Sequence, residues 1–197
     1  MSYIDIIKQR RSVYDLHKHL PISEKKLMRI LEEVITESPT AFNMQSSQVI
    51  VLLDGQHERL WNIVTKTLKE VVPSDKFEPT QKKMDMFTNA KGTLLFFENT
   101  QIIEQLKKEY PVYKDKFDDF ALRSMGILQG NIWNALAEVE IGASLQHYNP
   151  LIDKAVKEEW DIPEHYELSS QMVFGGIGSI PEPKEKIEAH SRLSLHK

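Results

Sequence analysis

The chain has no cysteine among its 197 residues. Disulfides, thiolate nucleophiles, cysteine-ligated zinc and dithiol redox chemistry are therefore excluded, and any redox work needs a bound cofactor. It also lacks a long apolar run, since no stretch approaches the ~20 residues that span a bilayer. MSYIDIIKQRRS, at the N-terminus, carries charges throughout and has neither the apolar centre nor the small-residue cleavage site of a signal peptide. A cytoplasmic protein without a membrane partner is the expectation. An excess of positive charge is missing too: 25 Lys and Arg against 29 Asp and Glu leave a net charge of -4. Nucleic acid is therefore not an expected partner, and any anion site must be local. GxSxG, Walker A, GxGxxG and HExxH motifs are absent. FGGIGS resembles a dinucleotide glycine loop, but no helix and second strand follow it, so a Rossmann reading is rejected. No metal is expected: His17 and His19 are the only close histidine pair, and no acidic run has ligand spacing.

What is present suits one compact domain, expected to span residues 1–197, with 41% of the residues hydrophobic. Residues 3–11 read as a short helix ending at Arg10 and Arg11. Ser23 is a good N-cap, flanked by Ile22 and Leu27 at staple positions. Leu27, Ile30, Leu31, Val34 and Ile35 keep the helical period up to about Glu37, where Pro39 disfavours helical geometry at Ser38. QVIVLL (48–53) and TLLFFE (93–98) read as buried strands, and Gln56 to Val72 as a helix between them. Residues 73–92 are polar and partly helical around Met84 and Phe87. The longest helical pattern covers 117–140 and contains Gly126 and Gly130, which are either tolerated or mark a close approach by a helix or ligand. IGASLQH (141–147) reads as a strand, Asn149-Pro150 as a turn, Leu151 to Trp160 as a short helix and SQMVFGG (170–176) as the last core strand. Strands separated by long helices point to α+β or α/β.

Four clusters carry groups able to do chemistry. Arg10, Arg11 and Ser12 can give forked, charged hydrogen bonds to a phosphate, although adjacent arginines serve equally as a solvated helix face. In PEPKEK (181–186), Lys184 and Lys186 project to one side if the segment is extended, or form a solvated tail. SPTAFNMQ (38–45) sets Ser38, Thr40, Asn43 and Gln45 in a loop entering a strand, where ligand-orienting groups often sit and where turn chemistry alone is also sufficient. LQHYNP (145–150) places Gln146, His147 and Asn149 at a strand end, with His147 either structural or a proton donor.

Taken in order, RRSVYDL, SPTAFNMQSSQVIVL, GTLLFFE, IGASLQHYNPLID and VFGGIGSIPEPKEK resemble the nitroreductase family of flavoenzymes, and most closely its short, Frm2-like branch. The resemblance covers nearly the whole chain. It implies an α+β fold with a central, mainly antiparallel sheet flanked by helices. It also implies an intertwined homodimer holding one FMN in each of two interface sites. By position, Arg10, Arg11 and Ser12 match the N-terminal FMN segment, with the arginines near the phosphate. Asn43 and Gln45 match the loop along the flavin, Lys184 and Lys186 the basic pair that closes on the phosphate, and Gln146 falls near the ring. The wider family commonly has a basic residue where this chain has Tyr14, which leaves open the group facing flavin N1 and O2.

The function so implied is a ping-pong oxidoreductase. NADH or NADPH delivers hydride to FMN, and an electron acceptor such as a nitroaromatic or quinone then takes its place. The chemistry is flavin-borne, and no catalytic acid or base is assigned beyond His147 as a candidate proton donor. The rival readings are a flavin store or redox sensor without turnover, a flavin-fragmenting or dehalogenating relative on the same scaffold, and a cofactor-free helical interaction protein.

Overall fold

The computed structural model of the protein describes residues 2–197. The first helix, α1 (Tyr3–Gln9), starts in a capping box, Ser2 and Asp5 each satisfying the other's backbone N–H. A two-residue strand, β1 (Leu16–His17), follows. In α2 (Glu24–Glu37) the Ser23 side chain accepts from the Lys26 N–H, and the C-cap Ser38 is extended, as the residue before a proline tends to be. Then come β2 (Ser47–Leu53), α3 (Asp54–Val71), α4 (Glu78–Thr88) and β3 (Gly92–Asn99). They are followed by α5 (Thr100–Glu109), α6 (Phe117–Glu138), β4 (Ile141–Gln146), α7 (Asp153–Glu159) and β5 (Tyr166–Ile177).

All five strands join one antiparallel sheet centred on β5. Gly176 faces His17 on one side and Ile141 on the other, so β1 and β3 lie end to end along one edge of β5 and β4 lies along the opposite edge. Side-chain alternation sends successive residues to opposite cores. Leu95, Phe97 and Val173 face α3, α4 and α7, packing with Trp61, Val64, Phe87 and Val156. Leu94, Phe96, Met172 and Phe174 face α2 and α6, packing with Leu27, Leu31, Leu128 and Ile132. Most of these side chains are fully buried, each contributing roughly 1.5–3 kcal/mol in transfer from water.

One buried polar chain threads the first core. Trp61 Nε1 donates to Thr93 Oγ1 (3.1 Å), which lies 2.9 Å from His57 Nδ1, and His57 Nε2 lies 3.0 Å from the Phe87 carbonyl. A carbonyl only accepts, so Nε2 carries the proton and Thr93 donates to Nδ1. Burial pushes the imidazole down to about 4, keeping it neutral.

The structure departs from the sequence expectations at several elements, the unexpected β1 among them. QVIVLL is a strand, but β2 is the sheet edge in this chain and only Leu52 is fully buried along it. Its apolar, β-branched composition reports strand propensity, not two covered faces. Helix α5, absent from the sequence reading, is short and polar, with Ile103 alone fully buried, and starts on an Asn99 cap. Strand β5 begins at Tyr166, four residues before SQMVFGG, because a register shift beside Phe96 and Phe97 carries pairing with β3 past Ser170 and turns Leu168 into the first core.

Candidate cofactor and acceptor site

After α1, the chain crosses the sheet as a strap. Ser12 makes an isolated parallel bridge to Ala143, and the Val13 N–H donates to the Ala143 carbonyl (2.9 Å) on the outer edge of β4. By Leu16 the strap has reached the far side of β5. It passes over Gly142, where a Cβ would lie 2.8 Å from Leu16 Cδ2 and 3.1 Å from Val13 Cβ. Glycine is what the close crossing requires.

The strap fixes the two arginines differently. Arg10 is the C-cap of α1, and its guanidinium lies 4.7 Å from the centroid of the Trp133 ring on α6. Arg11 Nη2 donates to the Glu182 carbonyl at 2.7 Å. The N-terminal basic segment and the PEPKEK segment therefore meet within one chain. Among the described residues, Arg10, Arg11, Lys184 and Lys186 enter no ion pair. Lys184 and Lys186 are exposed.

The 38–45 loop is tethered to α6 and strained. Asn131 Nδ2 donates to Ser38 Oγ (3.0 Å), and the Ala41 N–H donates to Ser124 Oγ (3.1 Å). Met44 packs with Ile103, Phe117 and Ala121. Phe42, Asn43 and Gln45 have φ of 55°, 52° and 47°, a left-handed conformation costing a non-glycine residue about 1–2 kcal/mol. Gln45 Nε2 donates to the Asn43 carbonyl (3.3 Å), so these two residues are brought together. They are not brought to Arg10. At ~100° per residue, Ser124 and Trp133 lie about 180° apart around α6, so the loop and Arg10 occupy opposite faces of that helix.

Gln146 is buried at the end of β4, donating to Ser144 Oγ (3.2 Å), while His147 beside it is exposed. Next along the chain is a group that sequence reasoning did not assemble. Tyr14, on the strap, packs 6.4 Å from Phe87. Lys83 Nζ sits 5.5 Å from the Phe87 ring and 6.0 Å from that of Tyr148. Burial, with the neighbouring Tyr14 hydroxyl, pushes the Tyr148 hydroxyl up to about 12, so it stays protonated. Tyr14 stood out in the sequence, whereas Lys83 is one of several polar residues on α4 and carried no signal of its own. Among the described residues, no group of three or more His, Cys, Asp or Glu could hold a metal ion, and no helix is long and apolar enough to cross a membrane.

Comparison with known proteins gives one consistent answer. The Nitroreductase family profile matches residues 7–176. The Saccharomyces cerevisiae protein HBN1 is 32% identical over 189 residues, covering 95% of this chain and 94% of its own. Nitroreductase FRM2 from the same yeast is 28% identical over 185 residues, covering 93% and 92%. Nitroreductase CinD from Lactococcus lactis, in complex with nicotinic acid, superposes with a TM-score of 0.93 at 37% identity over 100% of both chains. Its 4-nitrophenol complex gives 0.91 at 36%.

Proposed function

The chain belongs to the nitroreductase family, and from that premise we propose that it is a single FMN-binding domain acting as an NAD(P)H-dependent oxidoreductase on electron-poor aromatic acceptors or quinones. The observation that carries the reading is the junction of two basic segments through Arg11 and the Glu182 carbonyl. Arginines and lysines without ion-pair partners, on segments that meet, suit a ligand of charge near -2, because a partly buried phosphate needs charged donors around it. The residues present fit FMN: Arg10, Arg11 and Ser12 with Lys184 and Lys186 would hold the phosphate, Asn43 and Gln45 the flavin edge, and Gln146 a position near the ring. Bound there, FMN supplies two-electron transfer between a nicotinamide donor and an acceptor.

The chain's own residues bind, orient and shield. Gln146, buried and hydrogen-bonded, gives a fixed amide rather than a mobile one. Tyr148, protonated well beyond neutral pH, is a hydroxyl donor and not an anion. Lys83 is a cation with no carboxylate partner among the described residues. We assign to it the role that Tyr14 leaves open, since a positive charge beside the Tyr14–Phe87–Tyr148 wall would favour negative charge in a neighbouring ring. His147 is proposed at most as a proton donor from solvent. The opposite placement of the loop and Arg10 around α6 supports a homodimer: a site using both needs the loop of a second copy. The α6 face bearing Gly126, Gly130 and Trp133 borders a groove of ≈ 470 Å³ suited to receive it.

CinD holds nicotinic acid and 4-nitrophenol in its complexes, ring types that match a nicotinamide donor and a nitroaromatic acceptor. The test is the visible spectrum of the protein supplied with FMN and desalted, before and after anaerobic NADH or NADPH. A flavin spectrum that bleaches, and returns on adding a nitroaromatic or quinone, is the expected result. Retained flavin that stays oxidised favours a store or sensor, and a colourless protein overturns the assignment.

A further inference from the structure

Gln171 is fully buried in the middle of β5, on the face that Val173 and its β3 partner Leu95 give to the first core. Alternation along the strand calls for an apolar residue there, and a buried amide lowers stability unless both its ends are hydrogen-bonded. Only one end is. The Tyr148 N–H donates to Gln171 Oε1 at 2.8 Å, which turns Nε2 the other way, buried and with no hydrogen-bond partner among the described residues. Stability alone does not account for an amide kept in that position.

The bond falls where the strand pairing stops. Gln146 is the last residue of β4 and lies directly opposite Gln171. Beyond it the side chain of Gln171, and not the main chain of β5, receives the Tyr148 N–H. The ring of the same tyrosine is set by other contacts, 5.7 Å from Trp61 at an interplanar angle of 84° and 6.0 Å from Lys83 Nζ. Main chain and ring are thus fixed separately, and both anchor the Tyr148 end of the wall it forms with Tyr14 and Phe87. We propose that Gln171 is a positioning residue: too deeply buried to touch a flavin itself, it fixes, through the Tyr148 main chain, the wall against which the flavin ring would lie. This rests on the oxidoreductase reading above and adds to it the buried residue through which that wall is held.

The test is a double-substitution cycle read by fluorescence titration of FMN. Gln171→Met keeps the length of the side chain and removes the acceptor, whereas Tyr148→Ala removes the ring. Loss of one neutral hydrogen bond weakens FMN binding by about two- to tenfold in Gln171→Met. Tyr148→Ala weakens it too, and adding Gln171→Met to that variant weakens it no further, because a residue that acts through another has nothing left to hold. An amide that serves the core at large gives the same loss with or without the Tyr148 ring, and that result overturns the proposal. So does parent-like FMN affinity in Gln171→Met. Gln171→Asn, which withdraws the amide from the Tyr148 N–H but keeps its polarity, carries the same cycle if the methionine variant does not fold. A readout without flavin is amide hydrogen exchange across residues 147–149, expected to be faster in Gln171→Met than in the parent; equal exchange overturns the proposal. Failure of the underlying reading is seen separately, as absence of retained flavin in the parent protein, while exchange still reports whether Gln171 holds Tyr148.

Discussion

Arg11 and Glu182 stand 171 positions apart in the chain and are joined by a 2.7 Å hydrogen bond from guanidinium to main-chain carbonyl. The bond draws PEPKEK onto the strap and leaves the other guanidinium donors free for an anion. A charged hydrogen bond contributes roughly 1.5–3 kcal/mol. Arg11→Ala should therefore weaken FMN binding by roughly tenfold to somewhat over a hundredfold, measured by fluorescence titration of the free flavin. His196, in the exposed tail, is the control, and its replacement should leave binding close to that of the parent. Equal FMN affinity in Arg11→Ala would remove this residue from the phosphate site.

His57 makes stability depend on pH. Its folded value, about 4, lies below the ordinary 6.5, so the unfolded chain binds the proton more readily. The contribution is complete above 6.5 and is lost as pH falls towards 4, about 3 kcal/mol across that window. Urea unfolding should show a loss of about 2 kcal/mol between pH 7 and pH 5 from this group alone. Replacing His57 by Asn or Gln should lower stability at pH 7 and flatten that slope. A slope unchanged by the substitution would assign the acid sensitivity elsewhere.

Gly175 lies under β1. A Cβ there would sit 2.6 Å from the His17 carbonyl oxygen, a main-chain atom that can yield only if β1 moves. Gly175→Ala should cost about 1–3 kcal/mol in thermal or denaturant unfolding. Because β1 continues the strap, it should also weaken FMN binding. A variant as stable as the parent would show that the strap has room to shift.

Gly126 and Gly130 meet nothing within 4 Å when a Cβ is added. Within one chain a methyl group is therefore accommodated, and Gly→Ala should even favour the helix by up to ~1 kcal/mol. If a second copy packs on this face, Gly126→Leu should remain folded by circular dichroism yet sediment increasingly as monomer. Unaltered sedimentation would place the partner surface elsewhere.

The local elements were legible because their signals are local. Ser23 caps α2 in sequence and in structure, and the proline after Ser38 ends it through a steric clash that needs no tertiary partner. The 117–140 pattern shows the same dependence, its apolar period surviving as the buried ridge Met125, Leu128, Ile132 and Leu136. Helix α5 escaped notice because one buried isoleucine in ten residues leaves little period to read. For β1, two residues are too few to carry any period.

Residue type and order by themselves determined the α+β elements, the absence of thiol chemistry and the two separate basic segments. They did not determine that Arg11 reaches Glu182, that QVIVLL lies at an edge, or that Lys83, Tyr14 and Tyr148 share one wall. Those facts depend on which elements become neighbours, and neighbours are chosen by burial summed over the whole chain. Only the folded sheet, with glycine at the crossing of the strap, decided them.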